Sequence, residues 1–463
     1  MFAVKKFNQK RYAGSILIVS MILIVICSAL AVSMAVISGS NVQLADNQVT
    51  ANRARACAES GFDVIRYWMN RVSISGTTTE EQRFNAIATS LQSELSGDSI
   101  SNMYISYDGS TITIPCVILD SSAGDSFSAV ITLLDVDTLQ IDVTGTCDSV
   151  MRTIRGNYDF DTRGTYAFDF GVATKGPLSL SGNIDIEGVN LAVEASVYIE
   201  SENSNLALSI IGNSQIAGDV SIVNPIANVD LQGGKAGIGG ETGQEAIDNH
   251  VDFGAPPTEF PEPVPSIFES YATNIVDSNT DTSSDSTFEN IRILANTNPI
   301  FTGHATLKGI VYIETPNVVE FTGGADVTGI IVGDGDIDDD SGTNKIIFQG
   351  NVSSHPVSEL PQESQFIGLH DETGTFTMAP GFHVSFGGSF DALCGAIAGN
   401  GVEFFGNAGG IINGSVINYS DDPMTLSGNS DLFFNRSGTT ESPAGFVPEI
   451  ILKYNSTSYA EVI

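Results

Sequence analysis

The stretch GSILIVSMILIVICSALAVSMAVISG, residues 14–39, determines how this chain of 463 residues is organised. No residue between Arg11 and Asp46 is charged, and the run from Ile16 to Ile37 is nearly all apolar. As a helix this run would be about 33 Å long, enough to cross a bilayer. The positive-inside rule places the N-terminus in the cytoplasm and the rest of the chain outside, because basic residues precede the run: Lys5, Lys6, Lys10 and Arg11.

The helical pattern continues past the apolar run without a proline. Apolar residues recur there mostly at steps of three and four, the spacing of an amphipathic helix: Val42, Ala45, Val49, Ala56, Phe62, Ile65 and Met69. A cleaved signal peptide has an apolar region of only about 7–15 residues. A plain signal-anchor explains the run and its basic flank but not the amphipathic continuation.

Two motifs connect this region to a known family. The first is Gly14-Ser15-Ile16-Leu17-Ile18-Val19, and the second is Cys57-Ala58-Glu59-Ser60-Gly61-Phe62. Over about residues 10–71 the chain resembles the N-terminal domain of the PilX-type minor pilins, which are type IV pilus biogenesis proteins. The resemblance implies a prepilin-peptidase site between Gly14 and Ser15, methylation of the new N-terminus, and incorporation into a pilus-like filament.

The fifth residue of the implied mature chain departs from the pattern of major pilins. Major pilins usually have Glu there, whereas this chain has Val19. Several minor pilins also lack that Glu, so Val19 favours a minor subunit over a repeating major one. An unprocessed membrane anchor remains the alternative interpretation.

Charge is low in amount and uneven in distribution. Charged residues make up 16% of the chain, the net charge is −36, and there are 47 glycines. Residues 101–463 hold 48 of the 55 acidic side chains but only 10 of the 19 basic ones. A strongly acidic exterior repels phosphate backbones, so we expect no nucleic-acid partner. Low charge with much glycine is typical of secreted β-rich proteins.

The five cysteines show no spacing typical of a zinc site. Cys27 lies in the apolar run and Cys57 on the following helix, where buried packing is the default role. Cys116 and Cys147 lie in two predicted strands of one small region and would suit a disulfide in an oxidising compartment, although spacing alone leaves that pairing open. Cys394 is predicted to be a core residue.

Residues 73–169 are predicted to form a small α+β domain. Thr77 to Glu81 offers a capping box for a helix that ends near Gly97. Alternating residues on either side of Asp108-Gly109 predict a hairpin, and three more strands are predicted around 128–134, 139–144 and 151–158. The pattern favours a short antiparallel meander.

From about Phe170 a six-residue pattern recurs, in which alternating apolar residues are followed by Gly and often by Asn. Matched glycines at 303 and 323, 387 and 406, and 406 and 428 lie 20, 19 and 22 residues apart. This period predicts a parallel β-helix (β-solenoid), with a β-sandwich as the alternative. The eight copies begin at Leu178, Leu208, Pro299, Val319, Ile346, Val384, Val402 and Met424.

The predicted organisation has five parts. They are a basic leader (1–14), a pilin-like helix (15–72) that spans the membrane over 15–38, the small α+β domain (73–169), a solenoid (170–440), and a C-terminal tail (441–463). A Pro/Asp/Ser-rich stretch, 233–290, is expected to interrupt the solenoid as an extended excursion.

Parallel β-solenoids include many polysaccharide lyases and hydrolases, and a lyase of this architecture would need carboxylate-bound calcium beside an Arg or Lys base. The densest carboxylate group, with Asp334, Asp336, Asp338 and Asp340, has the alternation of a calcium loop. However, Asp339 and Lys345 stand where an EF-hand needs Gly and Glu. A solvated acidic turn is the favoured interpretation, and calcium the weaker one. No catalytic constellation and no cofactor motif is recognised.

The sequence therefore favours a non-enzymatic minor-pilin-like or pseudopilin-like protein taking part in pilus assembly, adhesion or secretion. It would be anchored in the inner membrane by one helix, with the bulk periplasmic or at the cell surface. Its expected partners are other pilin-like subunits and prepilin peptidase. The alternative is a membrane-anchored β-helix carbohydrate-active enzyme.

Overall fold

A computed structural model describes residues 13–76, 78–97, 104–122, 124–201, 205–339, 341–438 and 442–462. These residues form two compact units. The first contains residues up to 74, 79–161 and 451 onward, and the second contains 75–78 and 162–450. The second unit therefore begins earlier than the predicted boundary at residue 170. The predicted C-terminal tail is mostly one long strand that returns to the first unit.

The first unit has two helices, α1 (Ala13–Met69) and α2 (Glu80–Gly97). Helix α1 runs through 57 residues, since no proline interrupts its hydrogen bonds. The predicted helix after Thr79 is confirmed, with a buried face formed by Phe84, Ile87, Ala88 and Leu91. Part of its predicted capping box, Thr77, lies outside the described residues.

One seven-stranded sheet completes the first unit, in the order β1-β37-β6-β5-β4-β3-β2. The predicted meander is confirmed, because β2 to β6 pair antiparallel with their chain neighbours. Asp108 caps the first turn by accepting bonds from the amides of Ser110 and Thr111 at 2.9 and 2.8 Å. Numbered in chain order, the strands are β1 (Ser73–Ser75), β2 (Ser106–Tyr107), β3 (Thr111–Asp120), β4 (Asp125–Asp135), β5 (Thr138–Cys147), β6 (Val150–Arg163) and β37 (Glu449–Val462).

The second unit is a parallel β-solenoid, as predicted, and its coils form three sheets. The first sheet contains β7 (Val172–Thr174), β10 (Val197–Ile199), β13 (Val220–Ile222), β17 (Val251–Phe253), β19 (Asn274–Val276), β20 (Ser286–Ile293), β22 (Ala305–Ile313), β24 (Ala325–Gly333), β26 (Val352–His355), β27 (Thr375–Ala379), β30 (Ala396–Gly399) and β33 (Val416–Asn418). The second contains β8 (Leu178–Gly182), β11 (Leu206–Gly212), β14 (Asn228–Gln232), β21 (Ile300–Phe301), β23 (Val318–Phe321), β25 (Lys345–Phe348), β28 (His383–Phe386), β31 (Val402–Phe404) and β34 (Met424–Gly428).

The third sheet contains β9 (Asp185–Gly188), β12 (Gln215–Ile216), β15 (Gly237–Ile238), β16 (Glu241–Thr242), β29 (Ala392–Leu393), β32 (Gly410–Ile412) and β35 (Leu432–Phe434). Two further strands, β18 (Glu262–Pro263) and β36 (Phe446–Val447), pair with each other. The helices are α3 (Gly243–His250) and α4 (Ser266–Glu269). Inward Ile, Leu, Val and Phe side chains from all three sheets form one continuous buried core.

All eight sequence repeats lie in the second sheet, each supplying one strand. Strand β14 is a ninth member that was not among the eight predicted copies. The rings of Phe301, Phe321, Phe348, Phe386 and Phe404 stack with successive centroid separations of 4.8, 5.0, 5.0 and 5.1 Å. The strand spacing of about 4.8 Å sets this distance, because parallel in-register pairing puts like residues above one another.

The coils do not stack in chain order. Along the first sheet the order is β17-β13-β10-β7-β33-β30-β27-β24-β22-β20-β19, so the last coil pairs with the first. We call this junction the seam. It consists of β33 on β7, β34 on β8 and β35 on β9, all parallel. Gly182 and Gly428 face each other across it, and a Cβ on Gly182 would collide with the carbonyl oxygen of Gly428.

The chain reaches the far end of the solenoid through an extended segment, residues 254–273, which we call the strap. The predicted excursion 233–290 is thus longer than the observed one, because β15 to β17, β19 and the start of β20 are parts of the coils. The strap packs on the outer face of the first sheet, where a second apolar cluster includes Tyr198, Phe268, Tyr312 and Tyr419.

Replacing a ring in the phenylalanine stack should destabilise the solenoid strongly. For Phe321→Ala we expect a loss of about 3–5 kcal/mol in unfolding free energy, since a buried ring is removed and a cavity remains. Ile300→Ala is the control, because Ile300 is half exposed on β21 and should change stability by about 0.5 kcal/mol or less. Guanidinium unfolding of the full chain in detergent, followed by far-UV circular dichroism, measures both. Equal losses of unfolding free energy in the two variants would contradict the burial of the phenylalanine stack in the core.

Candidate functional site

Helix α1 is the candidate functional site, and it has two different halves. Every large apolar side chain from Ile16 to Val49 is exposed in this chain. From Ala54 to Met69 one face of the same helix is buried against the sheet. A continuous helix thus carries an uncovered apolar half and a docked half.

The uncovered half has the dimensions of a membrane span. In the described part of the chain, α1 is the one helix long and apolar enough to cross a membrane by length and composition. Its most apolar window has a mean hydropathy of 2.9 and no buried residue. The residues from Ser38 to Val49 continue the exposed helix for about 18 Å beyond that span.

The buried residues of the docked half form a regular stripe along one face of the helix. The sequence pattern predicted only some of these residues. Phe62, Ile65 and Met69 are buried as predicted, whereas Val42, Val49 and Ala56 are exposed. The observed stripe recurs at steps of three and four, as a helix packed on one face requires. It consists of Ala54, Cys57, Ala58, Gly61, Phe62, Ile65, Trp68 and Met69.

The segment Cys57–Phe62 is explained by packing. Its small residues let the helix lie unusually close to the sheet: a Cβ on Gly145 would collide with the backbone of Ala54 and Ala58. A Cβ on Gly61 would likewise collide with the ring of Phe127. Ala58 and Gly145 therefore set the distance between α1 and strand β5, and Gly61 sets the distance to β4.

The end of this segment anchors the helix through aromatic contacts. Phe62 lies edge-on to Tyr454 at 5.5 Å and to Tyr459 at 6.2 Å, both on β37. A Cβ on Gly156 would collide with the Phe62 ring. Edge-to-face pairs of this kind contribute about 0.5–1.5 kcal/mol each beyond area burial. The sequence did not identify Gly145 and Gly156 as contact residues, although glycine inside a strand often marks a close approach.

Charged residues line the edges of the docked stripe. Arg53 donates to Asp125 on β4 at 2.8 Å, and Arg55 donates to Glu59 one turn on at 3.0 Å. The Arg53 guanidinium lowers the pKa of the Asp125 carboxyl. Arg53, Arg55 and Glu59 are about half exposed, so these pairs fix orientation more than they add stability. Glu59 and Ser60 both face solvent.

The predicted processing residues, Gly14 and Ser15, lie in the first turn of α1. Val19 is exposed on the same helix. The basic leader residues Lys5, Lys6, Lys10 and Arg11 lie outside the described residues. Cleavage after Gly14 therefore stays a prediction.

The structure does not support the Cys116–Cys147 disulfide, since both cysteines are free. They lie on β3 and β5, which are separated by β4, so their backbones are at least about 10 Å apart. A disulfide needs Cα atoms within about 7 Å. Cys116 is also exposed whereas Cys147 is buried, and burial raises the pKa of the Cys147 thiol.

The acidic turn after β24 uses its carboxylates to hold the backbone. Asp334 accepts a bond from the Thr315 amide at 2.7 Å, and Asp336 accepts one from the Asp338 amide at 3.1 Å. Asp340 lies outside the described residues. In the part of the chain that the structure describes, no three His, Cys, Asp or Glu side chains are grouped to hold a metal ion.

Several basic residues and histidines of the solenoid lie against acidic side chains or carbonyl groups. Arg436 donates to the Asp169 carbonyl, and His250 lies 2.8 Å from Asp219. His355 lies 3.2 Å from Asp326. Burial lowers the pKa of His383, next to Gly401. Within the described residues we find no arrangement of base, nucleophile and carboxylate typical of a lyase or hydrolase.

Comparison with known protein families finds no match, and comparison with curated proteins finds no related sequence. Among solved structures, one similar chain is the competence-associated pilin ComZ from Thermus thermophilus. The TM-score is 0.24 at 10% identity, covering 89% of this chain and 97% of that one.

Adding one methyl group at Gly145 should loosen the helix from the sheet. We expect Gly145→Ala to destabilise the first unit by about 1–3 kcal/mol, because the new Cβ meets helix backbone that cannot move away cheaply. Trp68, the only tryptophan, is fully buried in the docked stripe, so its emission should shift to longer wavelength. The matched control is Gly39→Ala on exposed helix, where nothing lies within 4 Å. An unshifted Gly145→Ala spectrum would contradict the close approach.

The two cysteines that the sequence predicted as a disulfide should react with an alkylating agent at different rates. Under native conditions iodoacetamide should modify exposed Cys116 rapidly and leave buried Cys147 unmodified until denaturant is added. Peptide mapping by mass spectrometry without reduction measures both sites. A disulfide-linked peptide containing Cys116 and Cys147 would overturn this assignment.

Proposed function

We propose that this chain is a non-enzymatic minor-pilin-like protein of a bacterial envelope. The proposal rests on the structure of helix α1. One half of this helix is apolar and exposed, and the other half packs against an antiparallel sheet. The N-terminal helix anchors the chain in the inner membrane, with its N-terminus cytoplasmic. The remaining chain lies in the periplasm or at the cell surface.

The extra length of α1 favours a filament helix over a plain anchor. A span needs only about 20 apolar residues. Here Val42, Leu44 and Val49 keep exposed apolar side chains on the stretch that follows the span. These side chains offer a packing surface for the helices of other pilin-like subunits, which are the proposed partners.

Val19 and the solenoid both favour a sparse position in the filament. Val19 replaces the Glu that major pilins usually carry at this position. The second unit, residues 162–450, makes up most of the chain and is too bulky to repeat along a thin fibre. The proposed role is therefore in assembly initiation, adhesion or secretion. No specific observation favours the alternative of a membrane-anchored carbohydrate-active enzyme.

Processing at Gly14 gives the sharpest test. In surface-filament preparations from cells that express the chain, mass spectrometry should find a mature N-terminus at Ser15, methylated as the resemblance implies. Gly14→Val should block cleavage by prepilin peptidase and remove the chain from filaments while leaving it in membranes. Gly39→Val is the control glycine in the same helix and should be processed normally. Filaments that contain the chain with Met1 or Phe2 still present would refute the proposal.

A further inference from the structure

The two ends of the solenoid are sealed to different degrees. We call the end formed by β14 and β17 the near end, and the end formed by β19 and β21 the far end. At the far end the inward side chains of these last strands, Val276 and Phe301, are 2% and 1% exposed. At the near end the inward side chains of β14, Val229 and Leu231, are only partly buried against the core. The core is therefore less complete at the near end.

The strand next to β14 shows what a completed coil looks like. Val229 and Leu231 lie in register with Leu208 and Ile210 of β11, which are both 0% exposed. Strand β11 has a neighbour on each side, whereas β14 has β11 on one side and no described strand on the other. One more strand beyond β14 would bury its inward side chains, because each coil is covered only by its neighbours.

Strand β14 also presents backbone groups for pairing. Of the described strands that end the three solenoid sheets, it is the longest, with five residues. The Asn228 amide donates to the Asn205 carbonyl of the preceding coil at 2.7 Å. Successive amides of a strand point to opposite sides, so those of Val229 and Leu231 point away from β11. No proline interrupts this edge.

A groove of about 600 Å³ lies beside this edge, between β14, helix α3 and β17. Each of the three elements contributes one apolar residue to its lining, namely Val229, Ile247 and Val251. Ile226, just before β14, is 78% exposed. Alternate side chains of an added strand would therefore meet an apolar surface, as inward side chains do within the coils.

The near end is strongly acidic. The coil at this end, residues 225–254, contains five acidic side chains and one lysine: Asp230, Glu241, Glu245, Asp248, Asp252 and Lys235. Asp230 faces outward on β14, since it alternates with the inward Val229 and Leu231. A second copy of this chain would bring the same carboxylates against this edge, and like charges oppose pairing. A Lys or Arg on an added strand would instead complement Asp230.

We infer that the near end binds an extended segment of a partner protein in which apolar residues alternate with Lys or Arg. The segment adds one strand to the second sheet beyond β14 and pairs with the backbone of Val229 and Leu231. Its apolar side chains enter the groove, and its cationic side chains lie beside Asp230. In strand addition of this kind, backbone bonds provide affinity and alternate side chains provide specificity. The interaction does not depend on helix α1 or on filament assembly.

A labelled peptide of alternating lysine and valine, KVKVKVK, tests this inference. Fluorescence anisotropy should show saturable binding to the full chain in nonionic detergent, with detergent alone as the blank. The peptides EVEVEVE and KKVVVKK should bind at least about tenfold more weakly, because the first reverses the charge and the second lacks the alternation.

One pair of variants tests the charge at the edge. Asp230→Lys should weaken KVKVKVK binding by about tenfold, because it replaces an opposite charge with a like charge. Glu403→Lys is the matched control, since Glu403 lies in the same outward row of the second sheet, on β31. Four strand spacings, about 19 Å, separate the two rows' ends, so salt screens Glu403 from the edge. Glu403→Lys should therefore keep the wild-type affinity.

A second pair separates backbone pairing from charge attraction. Val229→Pro removes an outward amide that Val229→Ala keeps, so the proline variant should bind the peptide about tenfold more weakly than the alanine variant. Far-UV circular dichroism checks that both are folded. If Val229→Pro does not reach the wild-type spectrum, the comparison of Asp230→Lys with Glu403→Lys decides alone.

Several results would overturn the inference. They are an absence of saturable KVKVKVK binding, equal binding of EVEVEVE or KKVVVKK, equal weakening by Asp230→Lys and Glu403→Lys, and equal binding by folded Val229→Pro and Val229→Ala. Analytical ultracentrifugation adds one more. A wild-type oligomer that Val229→Pro dissociates and Val229→Ala does not would identify a second copy of this chain as the occupant of the edge.

Discussion

Parallel, in-register pairing across the seam is the constraint on which the solenoid depends. A coil buries its inward Ile, Leu, Val and Phe side chains only when a neighbour lies on each side. The first coil in sequence, starting at Val172, has its next coil on one side only. The coil starting at Val416 covers the other side, pairing at Val172, Leu178 and Ile186. Residues more than 240 positions apart thus complete one core.

The repeat architecture could be predicted from the sequence, but the order of the coils could not. Each repeat carries the same alternation and glycine, so Leu178–Gly182 pairs equally well in principle with several others. The neighbours of this strand depend on the positions of all the other coils, and no local sequence pattern determines those positions. Strand β14 carries the same alternation in Val229-Asp230-Leu231-Gln232, followed by Gly233, so it could have been predicted as a ninth copy; it pairs with β11 in register.

The same distinction between local and distant information holds for helix α1. Its existence and apolar half follow from composition alone, because nothing but a membrane or other apolar surface suits such a run. The face of its second half depends on the sheet, however. Cys57 and Ala58 are buried because Gly145, far along the chain, lets strand β5 approach. The predicted Cys116–Cys147 disulfide was wrong for the same reason. The order of strands in the sheet places β4 between β3 and β5, and sequence spacing does not show this.

The strap shows how a linker-like composition can serve as a fixed connection. Its prolines restrict the unfolded chain, so holding the segment extended costs less conformational entropy than it would for other residues. Few of its residues enter a core, and it is held instead by a ring between two tyrosines, two bonds to their hydroxyls, and the short β18–β36 pair. Such sparse contacts make a segment sensitive to single charges. The strap therefore links Tyr198 of the first coils to Tyr419 of the last through a few specific contacts and not through a core of its own.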